Sequence, residues 1–311
     1  MKIVFLGTPK FAVPTLEMLI EKHEVLLVVT QPDKEVGRKK VVTMSPVKKC
    51  AQKHQIEVFQ PSKLRKDYQK IIDLKPDLLI TAAYGQMLPK GLIEPITSLN
   101  VHGSLLPKYR GGAPIQYALF NGDDETGISI MYMAYQMDSG DVIKQKSIPI
   151  LEEDTYLTLV DKLSVLGANL LDEVLTDISQ GIKERFVQDE SQVTFAYTIK
   201  YEDEEIKFDE PLKMIINKIR GLYDEPGAHF DYLGQHIKIY QAKKSDIIVE
   251  NALPGEILLA KKQLLIKTID GVLDIIELQI PGKKRMLAKD FLNGQQLFKK
   301  GEIIKGGNTH G

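Results

Sequence analysis

"KIVFLGTPKFAVPTLEMLIEKHEVLLVVT", residues 2–30, decides the class of fold. Residues 2–6 are a short apolar run that stops at Gly7, and from Phe11 to Ile20 the apolar residues recur with a helical period behind Pro9. The run VLLVVT at 25–30 follows as a second strand. The alternation then repeats. It predicts a helix near 45–54, a strand near 56–59, a helix near 65–74, a strand at 77–83 (DLLITAA) and another around Leu99–Val101. Near-continuous apolar strands separated by helices predict a parallel sheet covered on both faces.

Beyond Leu99 a helix is expected over 113–121, followed by two alternating stretches, 127–134 and 141–150, paired around the turn MDSGD at 137–141. An amphipathic helix from about 154 to 180 closes this part. Residues 189–206, with the acidic run YEDEE, lack a long apolar period and read as a linker. After a helix near 210–221, short alternating runs separated by Gly, Pro or Asp predict a small barrel or sandwich. The expected division is therefore 1–188, a linker at 189–206, and 207–311.

With 311 residues, two cores are the better expectation, and 43% hydrophobic with 27% charged residues is the balance of a soluble globular protein. The net charge of -1 excludes a chain that is basic throughout, so contact with nucleic acid must rest on local patches. Cys50 is the single cysteine, which rules out an intrachain disulfide and fits a cytoplasmic location. No stretch reaches the roughly 18 apolar residues of a membrane span.

Gly7 begins G-T-P-K-F-A rather than G-x-G-x-x-G, and no phosphate-binding G-x-x-x-x-G-K-[ST] occurs. None of the six histidines lies in a zinc-binding H-E-x-x-H pattern, so no metal is expected, and most of them read as surface residues. Asn100 and His102 differ because they fall at the carboxyl end of a strand, the edge where open α/β sheets bind ligands. At i and i+2 they share one face. Two readings fit that spacing: a turn cap beside a locally satisfied histidine, or a pair of polar groups in a pocket with a third partner still to be found. Asp138 and Asp141 in MDSGD can supply a carboxylate to the same edge, or simply satisfy a hairpin turn. Two basic runs remain, Arg38-Lys39-Lys40 behind Gly37 and Lys283-Lys284-Arg285 in PGKKR. Each reads as a solvated face or as half of a surface for a long polyanion.

The segment LNVHGSLLPKYRGGAPIQ (99–116) resembles the hallmark of the folate-dependent formyltransferases, and MDSGD resembles that family's second catalytic segment. MKIVFLGTPKFAVPTL, TQPDKEVGRKK with SPVK, AAYGQMLPK, NGDDETGISIM and PGKKRMLAKDFLNG are similar, in order, to the branch that formylates methionine on initiator tRNA. The resemblance covers nearly the whole chain. It implies a Rossmann-like formyltransferase domain with a parallel-rich sheet, followed by a small OB-like β-barrel. It implies transfer of a formyl group from 10-formyltetrahydrofolate to the methionine amine of initiator Met-tRNA; nothing visible in the sequence demands more than a monomer. Asn100, His102 and Asp138 match the family's catalytic positions, and Ser104, Leu105, Leu106 and Pro107 match its folate-contacting stretch. Arg38, Lys39 and Lys40 match its tRNA-binding insertion, with Lys283, Lys284 and Arg285 as further phosphate contacts. Transfer to a small amine, such as an amino sugar or glycinamide ribonucleotide, is the nearest alternative, and a non-catalytic nucleotide- or RNA-binding protein a more distant one.

Overall fold

In the computed structural model, which describes residues 1–36, 40–182, 184–294 and 296–304, the opening alternation becomes β1 (Lys2–Gly7), α1 (Val13–Lys22) and β2 (Glu24–Val29). A ribbon of β3 (Lys34–Val36) and β4 (Val41–Thr43) flanks the basic run. Then come α2 (Pro46–Lys53), β5 (Val58–Phe59), α3 (Gln69–Asp73), β6 (Leu78–Ala82), α4 (Lys90–Ile93) and β7 (Ser98–His102). The series continues with α5 (Pro114–Asn121), β8 (Glu125–Tyr132), β9 (Val142–Pro149) and α6 (Tyr156–Ser179).

Seven strands form one sheet in the order β5-β2-β1-β6-β7-β8-β9. The first five pair in parallel, while β7–β8 and β8–β9 are antiparallel. Parallel strands need crossovers long enough to hold a helix, which the sequence supplies between them. From β1 the chain runs outward to β2 and β5, then crosses back to β6 on the other side. That reversal opens a crevice at the carboxyl ends of β1 and β6.

Ile3, Val4, Phe5 and Leu6 are fully buried, so β1 presents apolar side chains to both layers. One face packs Val4, Leu6, Leu27 and Leu79 with Ile71, Leu88 and Leu92 from the crossovers. On β7 a Cβ added to Gly167 of α6 would meet Val101 at 2.8 Å, so α6 lies close against the face that Asn100 and His102 do not occupy.

After residue 198 the elements are α7 (Leu212–Gly221), β10 (Ala228–Tyr232), β11 (Gln235–Lys244), β12 (Ile257–Ala260), β13 (Leu264–Lys267), β14 (Val272–Gln279), β15 (Met286–Leu287) and α8 (Ala288–Gly294). The strands form an antiparallel sheet, β10-β11-β14-β13-β12 with β15 beside β14, a half-barrel of OB-like character. Phe208, Ile215, Phe230, Ile239, Ile266 and Phe298 are among its core residues. His229 departs from the surface reading: it is 3% exposed, because Glu205 bridges its backbone and the Tyr201 ring stacks on its imidazole.

The chain divides into two compact units that interleave in sequence. One is Met1–Pro114, Glu125–Pro149 and Leu159–Thr198; the other is Ile115–Asp124, Ile150–Thr158 and Ile199–Gly311. No helix among the described residues is long and apolar enough to cross a membrane.

Candidate active site

Thr81 of β6 pairs in register with Asn100 of β7. The buried Thr81 hydroxyl donates to Asn100 Oδ1 at 2.8 Å, which leaves Asn100 Nδ2 facing Asp138 Oδ1 at 3.4 Å. A carboxylate only accepts, so Asp138 fixes this orientation of the amide, and the Thr81 hydroxyl, which can donate, fits it.

Two residues along the same strand face, His102 is 5% exposed, and its Nε2 lies 2.9 Å from the Tyr109 carbonyl oxygen. A carbonyl cannot donate, so Nε2 carries the proton and Nδ1 is the ring atom turned to Asp138 Oδ2, at 3.7 Å. That separation is an ion-pair distance rather than a hydrogen bond.

The third member arrives from the turn between β8 and β9. Asp138 has φ +51°, the left-handed region that non-glycine residues rarely adopt, and its Oδ2 accepts the Gly111 N–H at 2.9 Å. Gly140 completes the turn; a Cβ there would lie 1.9 Å from the Tyr132 carbonyl, so no other residue fits without a backbone shift. Asn100, His102 and Asp138 are thus gathered at one sheet edge. Such a set supplies an amide donor, an imidazole able to carry a proton, and a carboxylate able to orient and stabilise that imidazole when charged.

The stretch Ser104–Pro107 borders this edge. Its polar groups are internally occupied: Ser104 Oγ donates to Lys108 O at 2.6 Å, the Leu106 N–H donates to Ser129 Oγ at 3.0 Å, and Gln145 Nε2 donates to Leu106 O at 2.7 Å. Ser104 and Leu106 are buried while Leu105 and Pro107 are half-buried, so the stretch presents an apolar ledge.

Sequence reading missed the segment 186–198, which the structure lays along the loop after His102. Thr194 Oγ1 accepts from the Tyr109 N–H at 2.9 Å, and Ala196 N–H donates to Arg110 O at 2.9 Å. Arg110, 4% exposed, bonds Gln188 through Nε at 3.0 Å and Glu190 through both terminal nitrogens, at 2.7 and 3.3 Å. That guanidinium holds the Glu190 carboxyl below its usual pKa. No periodic signal marks such long-range partners.

The basic residues are placed differently. Arg38 and Lys39 lie outside the described residues, and Lys40 is exposed, 4.0 Å from Glu35. Lys283 and Lys284 are exposed, Lys283 with its Nζ 5.5 Å from the Phe291 ring centre. Arg285 is already committed. Its guanidinium bonds Asp224 and, at 2.5 Å, Glu277, and lies over the rings of Tyr223 and Tyr240 at 4.7 and 4.2 Å. Arg285, also expected as a phosphate contact, thus makes these ion pairs beside the two exposed lysines. Among the described residues no group of three or more His, Cys, Asp or Glu side chains is arranged to hold a metal.

Residues 1–175 match the formyl transferase family, and residues 198–296 match the formyl transferase C-terminal domain. Methionyl-tRNA formyltransferase of Staphylococcus aureus strain JH1 is 46% identical over 303 residues, 95% of this chain and 96% of its own. The solved N-formyltransferase from Helicobacter canadensis, in complex with folinic acid and dTDP-3-aminofucose, is similar with a TM-score of 0.67 and 22% identity, over 88% of this chain and 98% of that one. Methionyl-tRNA formyltransferase from Clostridium thermocellum has a TM-score of 0.58 and 17% identity, over 79% and 94%. Those two structures establish the fold, and the whole-length identity with the first relative reaches further. This chain belongs to the formyl transferase family.

Proposed function

We propose that this chain transfers the formyl group of 10-formyltetrahydrofolate to the amino group of methionine on initiator Met-tRNA, releasing tetrahydrofolate. The observation that carries the reading is identity of 46% across both units with a relative of that activity, joined to the gathering of Asn100, His102 and Asp138. The relative that is 46% identical over 95% of this chain is named for Met-tRNA, which favours the tRNA substrate over a small amine.

When an amine attacks a formyl carbon, charge develops on the oxygen and the nitrogen must lose a proton. Asn100 Nδ2 and protonated His102 Nδ1 are the donors for that oxygen, and removal of one such donor costs roughly 10²–10³ in rate. Asp138 orients the imidazole, stabilises it when it carries the second proton, and passes on the amine proton through water. The C–N bond to the folate then breaks and its nitrogen takes up a proton. Leu105 and Pro107 give the folate an apolar surface to lie on. No covalent enzyme intermediate is needed.

Arg38, Lys39 and Lys40 would take the acceptor stem, and Lys283, Lys284 and Arg285 the tRNA backbone, positioning it without reading sequence. Residues 1–188 carry the chemistry, 207–311 the second tRNA surface, and 189–206 connect them. A monomer suffices, and charged tRNA is met in the cytoplasm, where the Cys50 thiol stays reduced.

The test is turnover of charged initiator tRNA with 10-formyltetrahydrofolate. Formylation should fall roughly 10²–10³-fold in Asn100→Ala and in Asp138→Ala while both variants still melt cooperatively. A wild-type chain that formylates an amino sugar but leaves Met-tRNA untouched refutes the reading.

A further inference from the structure

Gln188 is 5% exposed and belongs to no helix or strand, yet every bond of its amide reaches a loop beside the trio. Nε2 donates to the Asp138 carbonyl at 2.8 Å and to the Gly140 carbonyl at 2.7 Å, while Oε1 accepts from Arg110 Nε at 3.0 Å. Two carbonyls that only accept and a guanidinium that only donates fix the amide orientation unambiguously. The two loops it joins are the ones that shape the site. The turn 137–141 carries the Asp138 carboxylate, and the loop around Arg110 supplies the Tyr109 carbonyl that holds His102 and the Gly111 N–H that holds Asp138.

We propose that Gln188 is a positioning residue for the reaction: it clamps the turn of Asp138 to the loop of Arg110 and so sets where the Asp138 carboxylate stands relative to His102. The inference rests on the proposed role of the trio. Its physical basis is the left-handed backbone of Asp138, which relaxes toward ordinary φ values unless neighbouring groups hold it. Gln188 holds it by drawing both carbonyls of the turn inward. Arg110, pinned in turn by Glu190, gives the clamp a fixed anchor. Loss of the clamp moves the carboxylate without touching the surfaces that bind substrate, and displacement of about 1 Å in such a site costs roughly 100-fold in rate.

Two replacements separate the possibilities. Gln188→Met keeps the length and loses all three bonds; Gln188→Glu keeps the bond to Arg110 but turns an acceptor toward two carbonyls. Both are expected to lower kcat roughly 10- to 100-fold with KM for Met-tRNA and for the formyl donor changed by less than about three-fold. Should Gln188→Met fail to fold by thermal melting, Gln188→Glu carries the test. In an Asp138→Ala background either replacement should cost nothing more, because the carboxylate it positions is gone. A further full loss in that background, or a rise in both KM values at unchanged kcat, overturns the positioning role. An active wild type and a disabled Asp138→Ala beside a fully active Gln188→Met also overturns it, while leaving the trio's role standing; an inactive wild type defeats the functional reading itself, and this inference with it.

Discussion

Thr81→Val isolates the orientation of the Asn100 amide from its presence. The substitution is nearly isosteric and removes one hydroxyl, 3% exposed, whose shortest bond is the 2.8 Å donation to Asn100 Oδ1. Its other acceptors, the Leu99 carbonyl at 3.2 Å and the Met133 sulfur at 3.6 Å, are farther. Losing a neutral hydrogen bond to a half-buried acceptor costs about 1 kcal/mol, because water can partly replace the donor. Since 1.36 kcal/mol is tenfold in rate, kcat/KM should fall about five-fold. The amide does not flip outright, as that would set Asn100 Oδ1 against the Asp138 carboxylate. Thr81→Ser should restore the rate, and the melting temperature of Thr81→Val should drop by no more than about 4 °C. The assay is initial-rate formylation of Met-tRNA at subsaturating tRNA, with Asn100→Ala as the lower limit. A loss in Thr81→Val as deep as that of Asn100→Ala, with folding intact, would refute the orienting role. So would a rate equal to wild type.

Gly140→Ala places a Cβ within 1.9 Å of the Tyr132 carbonyl and should destabilise the first unit by about 3 kcal/mol, with activity falling as the Asp138 turn shifts; an unchanged urea midpoint contradicts this. The second unit should lose stability in acid through His229, whose pKa burial and the neighbouring His236 push down to about 4 from 6.5. An unfolded chain takes up this proton near pH 6.5 and the folded one only near 4, so stability falls with pH across that window, by about 3 kcal/mol in all. Urea unfolding at several pH values, read by hydrogen exchange in β10 and β11, should show a flatter dependence in His229→Gln; parallel profiles remove His229 as the cause.

The fold was legible where side chains repeat. The apolar strands, the long helix at Tyr156–Ser179 and five of the six strands of the second unit all carry a period that survives into the structure. Several elements escaped for physical reasons, among them Lys90–Ile93, a single turn too short to show a period, and the two strands beside the basic run, which are three residues each and exposed at Val41 and Val42. At the site, Asn100 and His102 drew notice through i, i+2 spacing at a strand end, which left a purely structural reading open, and Asp138 needed the resemblance to distinguish it from a turn residue. Thr81, Gln188, the Tyr109 carbonyl and the Gly111 N–H left no trace. Two are backbone groups present in any sequence, and the two side chains act across 19 and 50 residues. The burial of His229, an exception among the histidines, was not legible because the segment covering it lies outside its own strand.

The interleaving of the two units sets an order of assembly on the ribosome. Phe120 of α5 packs in the second core, where a Cβ on Gly221 would meet its ring at 2.6 Å, yet the two residues are synthesised about a hundred positions apart. At about 5–20 residues per second, α5 waits roughly 5–20 s for α7 to be made. During that interval Leu119 and Phe120 lack the α7 part of their final packing. Nascent chains halted between residues 125 and 212 should therefore leave these two side chains open to aggregation or to capture by a chaperone.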